Sequence, residues 1–199
     1  PAPSWDYLRK ASEAPELLGT PRGLLVILDT NGTLLSRQKA KGRSSLIPRP
    51  GVARFLDYLL KRHKVMIWSS AGLGTVNTIC HQLLLPKQIR RLVAIWSRDD
   101  LGMTPEQYRS KGPIFKRLSR VWQDSDIQQH RAVATQAWSQ QNTVLIDNTP
   151  DKAASEPYNN IAIRTFAGGN SEAEDDLFGP VIEYLDMLRS QRNVSAYIR

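Results

Sequence analysis

Five short apolar runs, LLVIL (24–28), VMIW (65–68), LVAIW (92–96), TVLI (143–146) and IAI (161–163), constrain this chain more than any other feature. They are rich in β-branched and aromatic residues and too short for helices, so they predict buried strands. Helical patterns lie between them. In GVARFLDYLLKRH, Val52, Phe55, Leu56, Leu59 and Leu60 share one face, and in LGTVNTICHQLLL Val76, Ile79, Leu83 and Leu84 are similarly spaced. Strand alternating with helix predicts an α/β fold: a mostly parallel central sheet with helices on both faces. At 199 residues and 41% apolar composition the chain suits one domain with a single substantial core.

Residues 1–22 carry Pro3, Pro15 and Pro21 and no sustained periodicity, which predicts an N-terminal arm lying on a domain that spans 23–190. Thr104, Pro105 and Gln107 have the elements of a helix start, and the helix they open is expected to run to Trp122. The polar, Gln-rich stretch 123–142 reads as a partly helical surface insertion, SEAEDDLFGPVIEYLDMLRS as a final amphipathic helix, and 191–199 as a C-terminal tail. No apolar run approaches the roughly 18–20 residues needed to span a bilayer, and PAPSWDYLRK lacks the apolar stretch of a signal peptide. The lone Cys80 reads as a small buried side chain and suits a reducing compartment, so an intracellular location is expected, with nucleus, cytoplasm and mitochondrion all left open.

Lys and Arg outnumber Asp and Glu by 27 to 19, a net +8 that favours anionic partners such as phosphoprotein, nucleic acid or an organelle surface. The densest clusters, RQKAKGR (37–43), KRHK (61–64) and IRR (89–91), read first as solvated faces. No zinc-finger spacing, aromatic RNA-binding signature or P-loop accompanies them. His63 reads as a solvated or helix-terminal cation, His81 and His130 receive no role, and Trp68 and Trp96 read as core.

In an open parallel sheet the ligand crevice lies beyond the carboxyl ends of the strands. Three polar sets fall there: Asp29 through Thr33 after the first strand, Ser69 and Ser70 after the second, and Asp147 and Asn148 after TVLI. Each alone is an ordinary turn or helix cap; three at one sheet edge point to a site.

These residues also carry a resemblance. D-x-N-G-T-L-L after an apolar strand is similar to the nucleophile motif of the haloacid dehalogenase superfamily, usually written D-x-D-x-T. RPGVARFLDYLLKRHKVMIWSSAG resembles the "RPG…FL…TAS" block of the FCP/SCP-like, NLI-interacting-factor phosphatases. FKRL resembles their "KDL", and VLIDNTPDKAASEPYNNIAI their "DNSP…P.NAI.I" segment. The similarity runs from about Gly23 to Leu188 in the family's order and implies a haloacid-dehalogenase-like fold without a large cap.

The resemblance implies a Mg²⁺-dependent phosphoprotein (Ser/Thr) phosphatase-like domain. Asp29 would attack phosphorus and form an aspartyl-phosphate, with the metal held by its carboxylate, the backbone carbonyl of Asn31, and Asp147. Ser69 would hold a phosphoryl oxygen and Lys116 would neutralise charge on the transferring group, with Lys111 as reserve. Gly32, Thr33 and Ser70 complete the phosphate-binding set, and Asn148 supports the metal shell.

Asn31 departs from the motif. The family's second Asp protonates the leaving oxygen and then activates water; an amide does neither. Three readings are open: an engineered trap, a native residue of an activity-poor branch, or replacement by another acid, for which Asp99, Asp100 and Asp151 are candidates. DxNGTLL is similar to fungal members of the family, which favours the native reading. The expected function is therefore a weak or inactive phosphatase acting on a phosphorylated protein segment. The alternative is a non-catalytic binding protein of the same fold, contacting a basic segment as in the mitochondrial translocase receptor, or RNA or the ribosome through its basic surface.

Overall fold

The apolar run at residues 25–28 is wholly buried and forms strand β1 (Leu25–Leu28), the centre of the molecule. The computed structural model describes residues 1–40, 43–110, 112–131, 136–169 and 176–199. Helix α1 (Trp5–Ala11) precedes β1, and an antiparallel hairpin of β2 (Leu35–Ala40) and β3 (Arg43–Pro48) follows it. The chain then alternates through α2 (Val52–Arg62), β4 (Lys64–Trp68), α3 (Leu73–Leu83), α4 (Pro86–Ile89), β5 (Ile95–Trp96), α5 (Pro105–Arg109), α6 (Leu118–Gln123) and α7 (Ser125–Gln129). It closes with β6 (Thr143–Asp147), β7 (Asn160–Ala162), α8 (Phe178–Leu188) and α9 (Val194–Ile198).

The main sheet has the order β5-β4-β1-β6-β7, and every pairing in it is parallel. The chain steps outward from β1 through β4 to β5 and then returns to the other side as β6, so the topological switch point falls between β1 and β6. Alternation along β1 builds two cores: Val26 and Leu28 pack with α2, α3 and α8, while Leu25 and Ile27 pack with Met66, Trp68, Leu118, Val121, Ile127 and Trp138. Phe55 stacks on Phe178 at 4.3 Å between ring centres, joining α2 to α8. Cys80 is buried as expected, and burial pushes its thiol up to about 11. Trp68 is a fully buried core residue, and the half-buried Trp96 packs against that core with the two rings edge-on.

Four expectations need correction. The helix opened by Thr104 has its reciprocal cap with Gln107 but ends at Arg109, because Gly112 and Pro113 interrupt the pattern before α6 begins at Leu118. The segment 191–199, read as a tail, contains α9, whose Val194 and Ala196 are buried and which packs on α1 and the turn at Pro157–Asn159. The helix expected from SEAEDDLFGPVIEYLDMLRS, of which 171–175 lie outside the described residues, is α8; it begins only at Phe178 and is followed by α9, so it is not the last. The fourth correction is His63, which is 7% exposed and accepts the Leu24 backbone N–H on Nδ1 at 3.2 Å. It is a neutral strut between β1 and the end of α2, not a cation. Within 123–142, α7 supplies the helical part, and Gln128 bonds the backbones of both Trp122 and Trp138. The arm is anchored at its end by Arg22, whose Nη2 reaches the carbonyls of Gln141 at 2.7 Å and Arg192 at 2.8 Å.

Burial, assisted by the charge of Arg189, pushes the His63 imidazolium down to about 3. The unfolded chain takes up that proton near pH 6.5 and the folded chain does not, so stability is full above about pH 6.5 and falls as pH drops toward 3. At pH 5 the loss is roughly 2 kcal/mol. Urea titrations at pH 7 and pH 5 should show it, and His63→Gln should flatten the dependence while keeping an acceptor for Leu24.

Candidate active site

Strands β1 and β6 run parallel in register, Leu28 opposite Ile146, so the residues just beyond them are neighbours. Asp29 continues the ladder through its N–H to the Ile146 carbonyl at 3.0 Å, and Asp147 is the last residue of β6. Both carboxylates are buried, at 2% and 0% exposure. Two unneutralised carboxylates in such a place would repel and lose hydration at severe cost.

Lys116 answers that problem. Its ammonium lies 2.6 Å from Asp29 Oδ1 and 2.7 Å from Asp147 Oδ2, with the whole side chain at 0% exposure. Its backbone N–H donates to the Lys152 carbonyl at 2.7 Å, and the helix α6 that follows it is capped from afar. The buried Glu156 carboxylate accepts the Leu118 N–H at 2.9 Å and the Ser119 N–H at 3.4 Å, while the Ser155 hydroxyl donates to it at 2.7 Å. The start of α6 has no side-chain cap of its own, so Glu156 satisfies those free amides and complements the helix dipole.

A second lysine joins the cluster. Lys152, on the short 3₁₀ turn Pro150–Ala153, places its ammonium 3.1 Å from Asp147 Oδ1 and 3.4 Å from Asp29 Oδ1. Burial pulls this ammonium down, but attraction to Asp29 and Asp147 and the hydrogen bonds to both outweigh it, leaving Lys152 above the usual lysine range and charged at neutral pH. Two carboxylates thus face two ammonium groups.

The loop after Asp29 is wound tightly: the N–H groups of Thr33, Leu34 and Leu35 all donate to the Thr30 carbonyl. Gly32 takes φ +84°, and a Cβ there would stand 2.5 Å from Asn148 Nδ2. Thr33 Oγ1 lies 3.4 Å from Asp29 Oδ2 and 3.3 Å from Asn148 Oδ1, and accepts the Asn148 N–H at 3.2 Å. Asn148 Nδ2 donates to Thr165 Oγ1 at 3.0 Å, so this amide braces the loop around Asp29. Ser69 Oγ lies 2.7 Å from Thr30 Oγ1 and accepts the Ala71 N–H at 3.2 Å; Ser70 is half-buried beside it. Arg49, the arginine of RPG, is buried over Phe166 and Phe178 and donates to the carbonyls of Thr33 and Arg164 at 3.2 and 2.9 Å.

Asn31 is exposed, and its Oδ1 accepts the Arg37 N–H at 2.8 Å, fastening the loop to β2. Asp99 accepts the Tyr108 hydroxyl at 2.9 Å, Asp100 caps the Arg98–Leu101 turn through the Ser97 N–H at 2.7 Å, and Asp151 is exposed. Among the described residues none of the three is bonded to Asp29. Lys111 lies outside the described residues. Sequence reasoning thus gathered Asp29, Thr33, Ser69, Lys116, Asp147 and Asn148 onto one edge, and missed Lys152, Glu156 and the brace made by Arg49. The signal for Lys152 was its place five residues after Asp147, which a 3₁₀ turn folds back on the strand end.

The family model for NLI interacting factor-like phosphatases matches residues 24–195. The chain belongs to that family. An FCP1 homology domain-containing protein of Schizosaccharomyces pombe is 36% identical over 208 residues, covering 100% of this chain and 84% of that protein. The solved structure of Fcp1, an essential RNA polymerase II CTD phosphatase, has the same fold at TM-score 0.52 and 14% identity. That match covers 84% of this chain and 51% of the other, so the chain spans about half the length of that protein. Among the described residues no helix is long and apolar enough to cross a membrane.

The family implies Mg²⁺. Among the described residues no three His, Cys, Asp or Glu side chains converge, but Mg²⁺ takes one or two carboxylates and completes its shell with water and phosphate oxygens. Asp29 and Asp147, buried and meeting on one ammonium, fit that requirement, although Lys152 bridges the same pair.

Gly32→Ala should destabilise the domain by about 1–3 kcal/mol, since it combines a left-handed backbone with a clash on Asn148. The melting temperature and urea midpoint measure the loss.

Proposed function

We propose that this edge of the sheet binds the phosphoryl group of a phosphorylated protein segment, with Asp29 as nucleophile, and that Asn31 leaves the chemistry slow. The observation that carries the reading is Lys116 drawn between Asp29 and Asp147 with Lys152 beside it, a charge-balanced cluster at the switch point of the sheet. The two ammonium groups give such a site positive charge to offer a ligand that brings its own negative oxygens. The relatives named as FCP1-type proteins, one of them a CTD phosphatase, supply the substrate class. Among the described residues the chain after the Asp29 loop forms the two-stranded hairpin β2–β3 and no large domain, which suits a protein segment better than an enclosed metabolite.

In the proposed reaction Asp29 Oδ attacks phosphorus in line, the P–O bond to the substrate breaks, and an aspartyl-phosphate forms while the leaving oxygen takes a proton from solvent water; a second water then cleaves the aspartyl-phosphate to free Asp29 and inorganic phosphate. Thr33 orients the Asp29 carboxylate, and Lys116 and Lys152 stabilise the charge on the phosphoryl oxygens. Mg²⁺, held by Asp29, Asp147 and the backbone carbonyl of Asn31, would add charge neutralisation. The side chain at position 31 supplies no proton to the leaving oxygen and no base for water, because it is an amide already engaged with Arg37. That engagement favours one further reading, in which the site holds a phosphorylated segment without turnover.

Hydrolysis of an aryl phosphate, whose leaving group needs little protonation, separates the two. Asp29→Ala should abolish turnover, and Asn31→Asp should raise it, with the larger gain, roughly 10²–10⁴-fold, on a phosphoserine peptide whose leaving oxygen needs the proton. A folded Asn31→Asp protein that binds phosphate yet stays inactive leaves the binding role.

A further inference from the structure

The two lysines of the site are not equivalent. Lys116 is sealed at 0% exposure and tied by its backbone to Lys152, whereas the Lys152 side chain is 14% exposed and stands at the mouth of the cluster. Lys116 takes Asp29 Oδ1 and Asp147 Oδ2 at short range; Lys152 spans the Oδ1 atoms of the same two acids at 3.4 and 3.1 Å. The second bridge is looser and its ammonium is carried on a flexible four-carbon stem, so it can be displaced without disturbing the first.

We propose that Lys152 is a resident counter-cation, which occupies the edge between Asp29 and Asp147 that a divalent metal would take and turns to the phosphoryl oxygens when a phosphorylated ligand arrives. The proposal rests on the reading of this edge as a phosphoryl site and adds the cation economy of that site. Two buried carboxylates and two ammonium groups sum to zero charge, so the acids are satisfied before any metal binds. A divalent cation must push the Lys152 ammonium off the Asp147 and Asp29 oxygens, which lowers its affinity for the free protein. A dianionic phosphate supplies oxygens for that ammonium to follow, so the protein binds phosphate without metal. Removing Lys152 leaves the cluster one charge more negative, and the two ligands then respond in opposite directions: the metal more tightly held, the anion less.

Calorimetric titration of the full chain with MgCl₂, and separately with inorganic phosphate in the presence of EDTA, tests this in the unmodified protein, Lys152→Met and Lys152→Arg. Lys152→Met should bind Mg²⁺ at least tenfold more tightly and phosphate at least tenfold more weakly, while Lys152→Arg, which keeps the charge, should retain phosphate binding. The gain in Mg²⁺ affinity should persist in 0.5 M KCl, because competition for ligand oxygens is not screened as a distant charge is. Unchanged Mg²⁺ affinity in Lys152→Met overturns the proposal, and so does weakening of both ligands together, which marks a structural role. If phosphate binds the unmodified protein and a folded Lys116→Met loses it, the phosphoryl-site reading stands whatever Lys152 does. If phosphate binds none of the proteins, the phosphoryl-site reading falls and Lys152 loses its partner ligand.

Discussion

The structure depends on one buried electrostatic arrangement: Asp29 and Asp147, at the ends of adjacent parallel strands, sharing the ammonium of Lys116. Folding places both acids where water is nearly excluded, and a lone carboxylate there would be strongly unfavourable. The shared ammonium removes that penalty only if it is delivered to within hydrogen-bond distance of both. Everything around the cluster serves that delivery. β1 and β6 fix the separation of the acids through their register, and the Lys152 carbonyl and the Glu156 cap fix the start of α6 from which Lys116 reaches in.

The same logic explains why polar residues around the site are turned inward on each other. Arg49 is fully engaged with backbone carbonyls and two aromatic faces, and it holds the loop that carries Thr33. Asn148 holds the same loop from the other side through Thr33 and Thr165, and Gly32 is the only residue type that lets the two approach. A site assembled this way is preorganised before a ligand arrives, which is what phosphoryl transfer asks of a protein, since positioning and charge stabilisation do most of its work.

Membership of the NLI interacting factor-like phosphatase family and an amide at position 31 pull in different directions. The fold and the buried Asp29–Lys116–Asp147 cluster stand in a phosphatase-family scaffold, and position 31 carries an amide with no titratable proton. Asn31 has a structural task, tying the loop after Asp29 to β2, that an aspartate could equally perform. The departure from the motif therefore leaves the frame intact.

The amino-acid sequence by itself determined the sheet and most of its edge. Apolar runs of four or five residues bury on both faces only as parallel strands between helices, and the carboxyl ends of such strands are where Asp29, Ser69 and Asp147 had to fall. It did not determine where Lys152, Glu156 and His63 would point. Lys152 sits on a short 3₁₀ turn and Glu156 on the link to the next one, and their direction is set by what packs against β6 and α6, not by any local periodicity. His63 looked like one more charge in KRHK, and only the close approach of β1 to the end of α2 made it a buried, neutral acceptor. Local pattern decides which elements form; the charge state and partner of a polar side chain depend on what comes to lie against it, and that is decided in three dimensions.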